Sequence, residues 1–105
     1  MKFSFDEFLS RLPLPANEKW TEGVWFTEAF SKGNFDLEFF APKGEDRQTP
    51  HEKDEIYVVV RGSGEFVKEN ERTEFKSGDV LFVEAGVDHR FENFSEDFAT
   101  WVIFF

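Results

Sequence analysis

The feature that most constrains the fold is a succession of short segments rich in β-branched and aromatic residues, with turn residues between them. The succession starts at Val24. Eight segments can be assigned, at residues 24–30, 35–41, 55–61, 65–69, 72–76, 79–83, 89–93 and 98–105. Short strands at close and regular spacing are typical of an antiparallel sandwich or a closed barrel. We therefore predict an all-β fold.

Turn residues predict how some of these strands are connected. Gly33 and Asn34, in "SKGN", can take positive φ and predict a hairpin between the first two strands. The polar pair "NE" at 70–71 predicts the tip of a second hairpin. Gly62 and Gly64 bracket a predicted turn that also requires positive φ.

Two segments are apolar at every position, whereas a strand with one solvent-facing side alternates apolar and polar residues. They are "IYVVV" at 56–60 and "WVIFF" at 101–105. Both faces of these strands must be covered, either by another layer of the same chain or by a second subunit. Because 105 residues leave little material for a full second layer, we expect a homodimer.

The N-terminal residues predict a short helix. Apolar residues recur at helical spacing over residues 4–12, Ser4 and Glu7 match a capping box, and "PLP" at 13–15 ends the pattern. The helix would lie on the outside of the core, or it would act as a lid or a partner-contacting arm; we expect the first. The predicted organisation is a single domain over residues 1–105, with a helical arm at 1–15 and a barrel at 24–105.

Charge and composition exclude several classes of partner. The formal net charge is −10 and no stripe of Lys or Arg occurs, so we expect no nucleic acid and no membrane as partner. The chain has no cysteine, which excludes disulfides, thiolate catalysis and cysteine-based zinc sites. No apolar run is long enough to span a bilayer, and the N-terminus lacks the apolar region of a signal peptide. We expect a cytoplasmic protein.

The chain has two histidines, and both lie beside predicted strands. His51 precedes the strand that begins at Glu55, and His89 begins a later strand. Two imidazoles and one carboxylate inside a rigid barrel would bind a divalent Fe, Mn, Ni, Co or Zn ion and leave coordination positions open. The alternative is that the histidines are structural residues and that "EKDE" at 52–55 is a solvated charge run.

The sequence around these residues resembles the two motifs of the cupin superfamily. His51, Glu55 and Gly62 match the second histidine, the glutamate and the closing glycine of the first motif. The residues that keep every spacing of the second motif are Gly78, Gly86, His89 and Asn93. The resemblance spans residues 49–93 and implies a small single-domain cupin. Such proteins are β-barrels of two facing sheets, or jelly rolls, with a metal at the centre, and they are frequently dimers.

The chain departs from these motifs at three positions. Thr49 stands in place of the first histidine of the first motif, Glu84 replaces the proline of the second motif, and Gly44 is displaced by one residue. One of the four ligands that the resemblance implies is therefore lost. The predicted metal-binding residues are the remaining three: His51, Glu55 and His89.

Three other polar residues lie near the proposed ligands: Tyr57, Asp46 and Gln48. Tyr57 lies two residues after Glu55 on the inward parity, so it is a candidate catalytic proton donor or orienting group, or else a structural residue of the barrel. Strand alternation puts Asp46 and Gln48 on the other parity, and we expect neither to contribute. No cation is expected in the cavity, because arginines flanking the motifs, at 61 and 90, would lie on the outer face.

Three functions remain open at this stage. The first is a metal-dependent enzyme with oxygenase-like, or isomerase or lyase, chemistry on a small organic molecule. The second is a non-catalytic binding or sensor module that uses the aromatic cavity. The third is a metal-free scaffold, which the loss of a ligand at Thr49 keeps open. We expect the first, with a divalent metal as cofactor and a small-molecule substrate.

Overall fold

The computed structural model describes all 105 residues, with one short helix followed by eight antiparallel strands. The bounds are α1 Phe5–Ser10, β1 Phe26–Lys32, β2 Phe35–Phe40, β3 Glu55–Arg61, β4 Ser63–Lys68, β5 Glu71–Lys76, β6 Val80–Val83, β7 His89–Glu92 and β8 Ala99–Phe104. Each strand overlaps one that was predicted, so the all-β prediction is confirmed. The helix is neither long enough nor apolar enough to cross a membrane.

The strands form two sheets whose inner faces enclose the interior. The larger sheet has the order β1-β2-β8-β3-β6, and the smaller sheet has the order β5-β4-β7. Strands adjacent in sequence repeatedly lie in different sheets, as β3 and β4 do and as β7 and β8 do. The chain therefore crosses between the sheets several times, which gives the jelly-roll arrangement that was expected.

An aromatic core joins the two inner faces. Tyr57 and Val102 come from the larger sheet, and Phe66 and Phe91 come from the smaller one; all four are buried. The ring of Phe91 meets the ring of Tyr57 edge-to-face, with centroids 4.9 Å apart. Because such rings bury large apolar areas in a favourable geometry, they hold the sheets at a fixed separation.

The hairpin predictions hold at one position and shift at another. Gly33 has φ 60° at the turn between β1 and β2, as predicted. Between β4 and β5, the positive φ falls on Glu69, at 53°, and not within the predicted tip at 70–71. Since β5 starts at Glu71, the tip lies one residue earlier than the polar pair suggested.

The prediction for Gly62 and Gly64 holds only in part: Gly62 takes the positive φ, but Gly64 does not, and the residues form a corner between the two sheets. Gly62 has φ 90°, and a Cβ there would lie 2.6 Å from the Cα of Phe98. Gly64 has no positive φ, but its Cβ would lie 2.8 Å from the Cα of Phe94. Close backbone approach, and at Gly62 also conformation, therefore requires glycine at this corner.

α1 packs on the outer face of the larger sheet, which is the placement expected from the sequence. The ring of Phe8 is buried 5.6 Å from that of Trp101, and Trp101 packs against Phe39 at 4.9 Å. The side chain of Ser4 makes no capping hydrogen bond, so the predicted capping box does not form. The chain itself thus supplies part of the second layer that was expected to come from another subunit.

Gly62→Ala should destabilise the protein much more than Gly33→Ala. Both positions have positive φ, which costs an L-residue about 1–2 kcal/mol. Only at Gly62 would the new Cβ also collide with backbone. We expect the free energy of unfolding to fall by about 3 kcal/mol or more for Gly62→Ala and by about 1 kcal/mol for Gly33→Ala. Urea denaturation measures both, and equal losses would contradict this account of the corner.

Candidate metal centre

Three separate parts of the chain carry the predicted metal-binding residues. Glu55 is the first residue of β3 and His89 is the first residue of β7, and both are buried. His51 lies in the segment between β2 and β3, with its side chain 34% exposed. The N–H of Gly86, which has φ 78°, donates to the carbonyl of His51 at 2.7 Å. This contact ties the turn that precedes His89 to the loop that carries His51.

The structure brings the three side chains together around one carboxylate oxygen. Oε2 of Glu55 lies 3.1 Å from Nδ1 of His51 and 3.0 Å from Nε2 of His89. One ligand atom from each of the three residues lies within 4.8 Å of the others. The three residues that the sequence predicted as ligands thus point their donor atoms towards one place in the structure.

A backbone carbonyl fixes the tautomer of His89. Its Nδ1 lies 2.8 Å from the carbonyl oxygen of Val87, which can only accept, so Nδ1 carries a hydrogen. Nε2 therefore has a lone pair available for a metal in the neutral ring, and in the charged ring it carries the hydrogen that Glu55 accepts at 3.0 Å. Metal-binding histidines are commonly oriented in this way, with the second ring nitrogen donating to a carbonyl.

Glu55 and His89 control each other's protonation. Burial by itself would raise the pKa of Glu55, but hydrogen bonds with His51 and His89 outweigh it and lower the pKa to about 2. Burial would lower the pKa of His89, but the hydrogen bond to Glu55 outweighs it and the pKa is raised. Glu55 is therefore ionised, and it favours a positive charge, a proton or a metal cation, beside Nε2 of His89.

Gln48 belongs to the site, which corrects the expectation that neither it nor Asp46 would contribute. Oε1 of Gln48 lies 3.1 Å from the hydroxyl of Tyr57 and 3.1 Å from Nε2 of His89. Asp46 orients this amide, because its carboxylate accepts from the side-chain and backbone N–H groups of Gln48 and from the N–H of Phe91. Strand alternation failed here because residues 41–54 are not a strand.

Tyr57 points inward, as its parity predicted. Its buried hydroxyl lies 3.0 Å from Oε1 of Glu55 and 3.1 Å from Nε2 of His89. Burial, and then the charge of Glu55, raise the pKa of Tyr57 well above its ordinary value. The phenol therefore keeps its proton and is a neutral hydrogen-bond donor next to the carboxylate.

A cavity of about 100 Å³ opens over His51 and Glu55. Its apolar wall includes the rings of Trp20, Phe26 and Phe40. Glu38, from β2, adds a carboxylate that the sequence reasoning missed, although its position two residues before the inward-facing Phe40 was a usable signal.

A lysine also lines this cavity, so the expectation that no cation would be present is wrong. The residue is Lys19, whose Nζ donates to Oγ1 of Thr49 at 3.3 Å. It was missed because it lies in the segment before β1, which had no assigned role. The two arginines named earlier lie outside the cavity: Arg61 stacks on Phe5, and Arg90 pairs with Glu92.

The donor set fits a divalent transition metal. Two ligands at about 2.1 Å from one ion and at right angles to each other are about 3 Å apart, and Glu55 Oε2 lies at that distance from both imidazole nitrogens. The two nitrogens and one ionised carboxylate match the set that binds such ions with open positions. Thr49, a poor ligand, adds no donor of comparable strength.

Comparison with known proteins shows which family the chain belongs to. The model of the cupin domain family matches residues 37–105, well over half of the chain. The chain therefore belongs to the cupin family, and the resemblance read from the two motifs is confirmed.

Individual relatives and solved structures resemble this chain over different lengths. A cupin-2 domain containing protein from Shewanella frigidimarina superposes with a TM-score of 0.68 at 16% identity, over 96% of this chain and 91% of its own. A predicted oxalate decarboxylase from Thermotoga maritima superposes with a TM-score of 0.52 at 26% identity, over 67% of this chain and 63% of its own. An uncharacterized protein from Streptomyces coelicolor is 42% identical over 59 residues, which are 56% of this chain and 56% of that protein. The chain thus matches only about half the length of this last relative.

Thr49→His should tighten metal binding, and His51→Ala should weaken it. Thr49 lines the same cavity as His51, so an imidazole at this position would add a fourth strong donor. We expect the dissociation constant for Zn²⁺ to fall about tenfold with Thr49→His and to rise more than about tenfold with His51→Ala. Calorimetric titration measures both, with Thr49→Val as the control that changes shape without adding a ligand. No change in either variant would rule out metal binding at this place.

Proposed function

We propose that this cupin binds one divalent metal ion through His51, Glu55 and His89 and is an enzyme with oxygenase-like chemistry on a small organic molecule. The observation that carries the proposal is the convergence of three donor atoms within 4.8 Å. The ring of His89, which supplies one of them, is oriented by the backbone carbonyl of Val87.

The ion would supply Lewis-acid or one-electron redox chemistry to a substrate in the cavity. The protein's own groups would do the rest. Tyr57 holds one proton at its hydroxyl, which Glu55 and Gln48 can accept at 3.0 and 3.1 Å, and a bound substrate would accept that hydrogen bond in place of one of them. The rings of Trp20 and Phe40 exclude water from one wall of the cavity.

A second candidate is a non-catalytic module that binds a small ligand, with or without a metal. One observation favours it: the polar atoms of the site already pair with one another. The hydroxyl of Tyr57 and Nε2 of His89 each have two or more polar neighbours within 3.1 Å. A buried network satisfied in this way is stable without any ligand.

We also propose that the protein is a homodimer through the outer face of the larger sheet. α1 leaves part of this face uncovered: Val80 is 62% exposed and Phe82 is 46% exposed. Register places Phe82 beside Ile56 and Ile56 beside Ile103, so the apolar row continues across three strands. A second copy of the chain would cover this row with its own identical row. Because both rows are uncharged, the contact would not bring acidic residues of the two chains, each with a net charge of −10, against each other.

The remaining expectations from sequence stay predictions. They are the cytoplasmic location and the absence of nucleic-acid and membrane partners, which both follow from the charge and composition of the chain.

Metal analysis tests the proposed centre. Protein purified without added metal or chelator should carry close to one divalent ion per chain at about pH 8 and should lose it as the pH falls through about 6.5. Metal affinity falls with pH because protons compete with the metal for the imidazoles, which bind metal only when neutral. The raised pKa of His89 makes its protonation begin at higher pH than usual. A metal content that stays constant down to about pH 5 would exclude histidine ligation. Oxygen uptake by Fe(II)-loaded protein, with His51→Ala as control, then tests the enzymatic part.

Light scattering tests the dimer. We expect a solution mass near twice 12.4 kDa for the wild type. Phe82→Glu should shift the mass towards that of one chain, because the new charge would be buried in the interface. Leu14→Glu, at an exposed apolar residue outside this face, is the matched control and should stay dimeric. A wild-type protein that is monomeric at the same concentration refutes the proposal.

A further inference from the structure

The loop that carries Lys19, defined here as residues 14–24, has a fixed structure. Leu14 and Val24 exchange backbone hydrogen bonds of 2.7 and 3.0 Å, which close its base. Inside the loop, Oδ1 of Asn17 accepts from the N–H groups of Lys19 and Trp20. The indole of Trp20 is buried among aromatic rings of the barrel. The backbone of Lys19 is therefore positioned by the loop and is not free to swing away from the cavity.

The ammonium of Lys19 has no carboxylate partner, although acidic residues outnumber basic ones 22 to 12. Its one hydrogen-bond partner is the neutral hydroxyl of Thr49, at 3.3 Å. That hydroxyl accepts from the ammonium, so its own hydrogen is free to donate. Together the two side chains present a positive charge and a second donor to the cavity, a combination suited to a carboxylate. Glu38 and Glu55 line the same cavity and would repel an anion from their own side, which leaves Lys19 and Thr49 as the groups that would bind it.

The size of the cavity limits what such a carboxylate can belong to. An apolar cavity of about 150 Å³ holds one benzene molecule, and this cavity is about 100 Å³. Lys19, Thr49, His51 and Glu55 line this same small volume, so a short ligand can contact the ammonium and the centre formed by His51, Glu55 and His89 at once. A ligand with two polar ends would have one end at the ammonium and the other at the open metal positions.

We infer that the ligand of this site is a small carboxylate, of about three or four carbons, whose anionic group binds Lys19 and Thr49. The inference rests on the proposed small-molecule site, and it adds the charge and the size of the ligand. Lys19 is the residue that selects the anion. Thr49, which the motif comparison marks only as a lost ligand, acts as the second donor to the same group.

The experiment measures the coupling between the charge of Lys19 and the charge of a probe. The probes are malonate and its neutral diamide, malonamide, which have the same skeleton and differ in whether any carboxylate is present. Each is titrated into Zn²⁺-loaded wild type, Lys19→Met and Lys43→Met. Lys43 is the matched control because its ammonium also lies over an indole, that of Trp25, but outside the cavity. The zinc content of every sample is measured.

We expect malonate to lose about fivefold more affinity than malonamide when Lys19 becomes Met, the scale of an ion pair near the surface. Lys43→Met should show no such difference, and Lys19→Arg should restore malonate binding. Equal losses for the two probes, or the same coupling in Lys43→Met, would overturn the inference.

A second measurement separates this inference from the proposed metal centre. The same probes are titrated into metal-free protein while the indole N–H signal of Trp20 is followed by NMR. If the protein takes up no zinc but the coupling appears in this titration, the metal centre is wrong and the carboxylate site stands. If zinc binds and the coupling is absent from both titrations, the metal centre stands and the carboxylate site is wrong.

Discussion

The charge of one buried carboxylate determines how the interior of this barrel is arranged. Glu55 is 1% exposed, and an ionised carboxylate in such a place is strongly destabilising unless it is paired and hydrogen-bonded. His51 and His89 meet one of its oxygens, and Tyr57 donates to the other. The polar groups of the interior are therefore a consequence of Glu55. Replacing it with an apolar residue would leave two imidazoles and a phenol without their common acceptor.

Most of the fold could be predicted because the order of apolar and polar residues within a strand shows which of its faces are buried. All eight strands are predicted by segments rich in β-branched and aromatic residues with turn residues between them, and the inward parity of Tyr57 follows from alternation along a strand. The site was only partly predictable, since alternation holds only within a strand. Gln48 lies in an irregular segment, where no periodicity gives the direction of a side chain. Lys19 was missed for another reason: a loop that closes over the cavity is a tertiary contact with no local pattern.

The outer face of the larger sheet shows where the sequence argument was incomplete. Strands β3 and β8 are apolar on both faces, which correctly implied a second covering layer. The sequence could not show how that layer would be divided. The ring of Phe8, from α1, covers Phe39 and Trp101, whereas Val80 and Phe82 remain exposed. A six-residue helix is simply shorter than the sheet that it packs on.

The departure at Thr49 links the metal centre to the ligand that the cavity can accept. A histidine there would add a donor to the centre, but it would remove the hydroxyl that binds the ammonium of Lys19. The chain thus has either a fourth ligand or a second contact to an anion at this position, and the observed residue provides the second. Fewer protein ligands also leave more open positions on an ion held by His51, Glu55 and His89. If the ion and the anion bind as proposed, both effects favour a small anion between the ion and Lys19, so the position that departs from the motif links the two proposed sites.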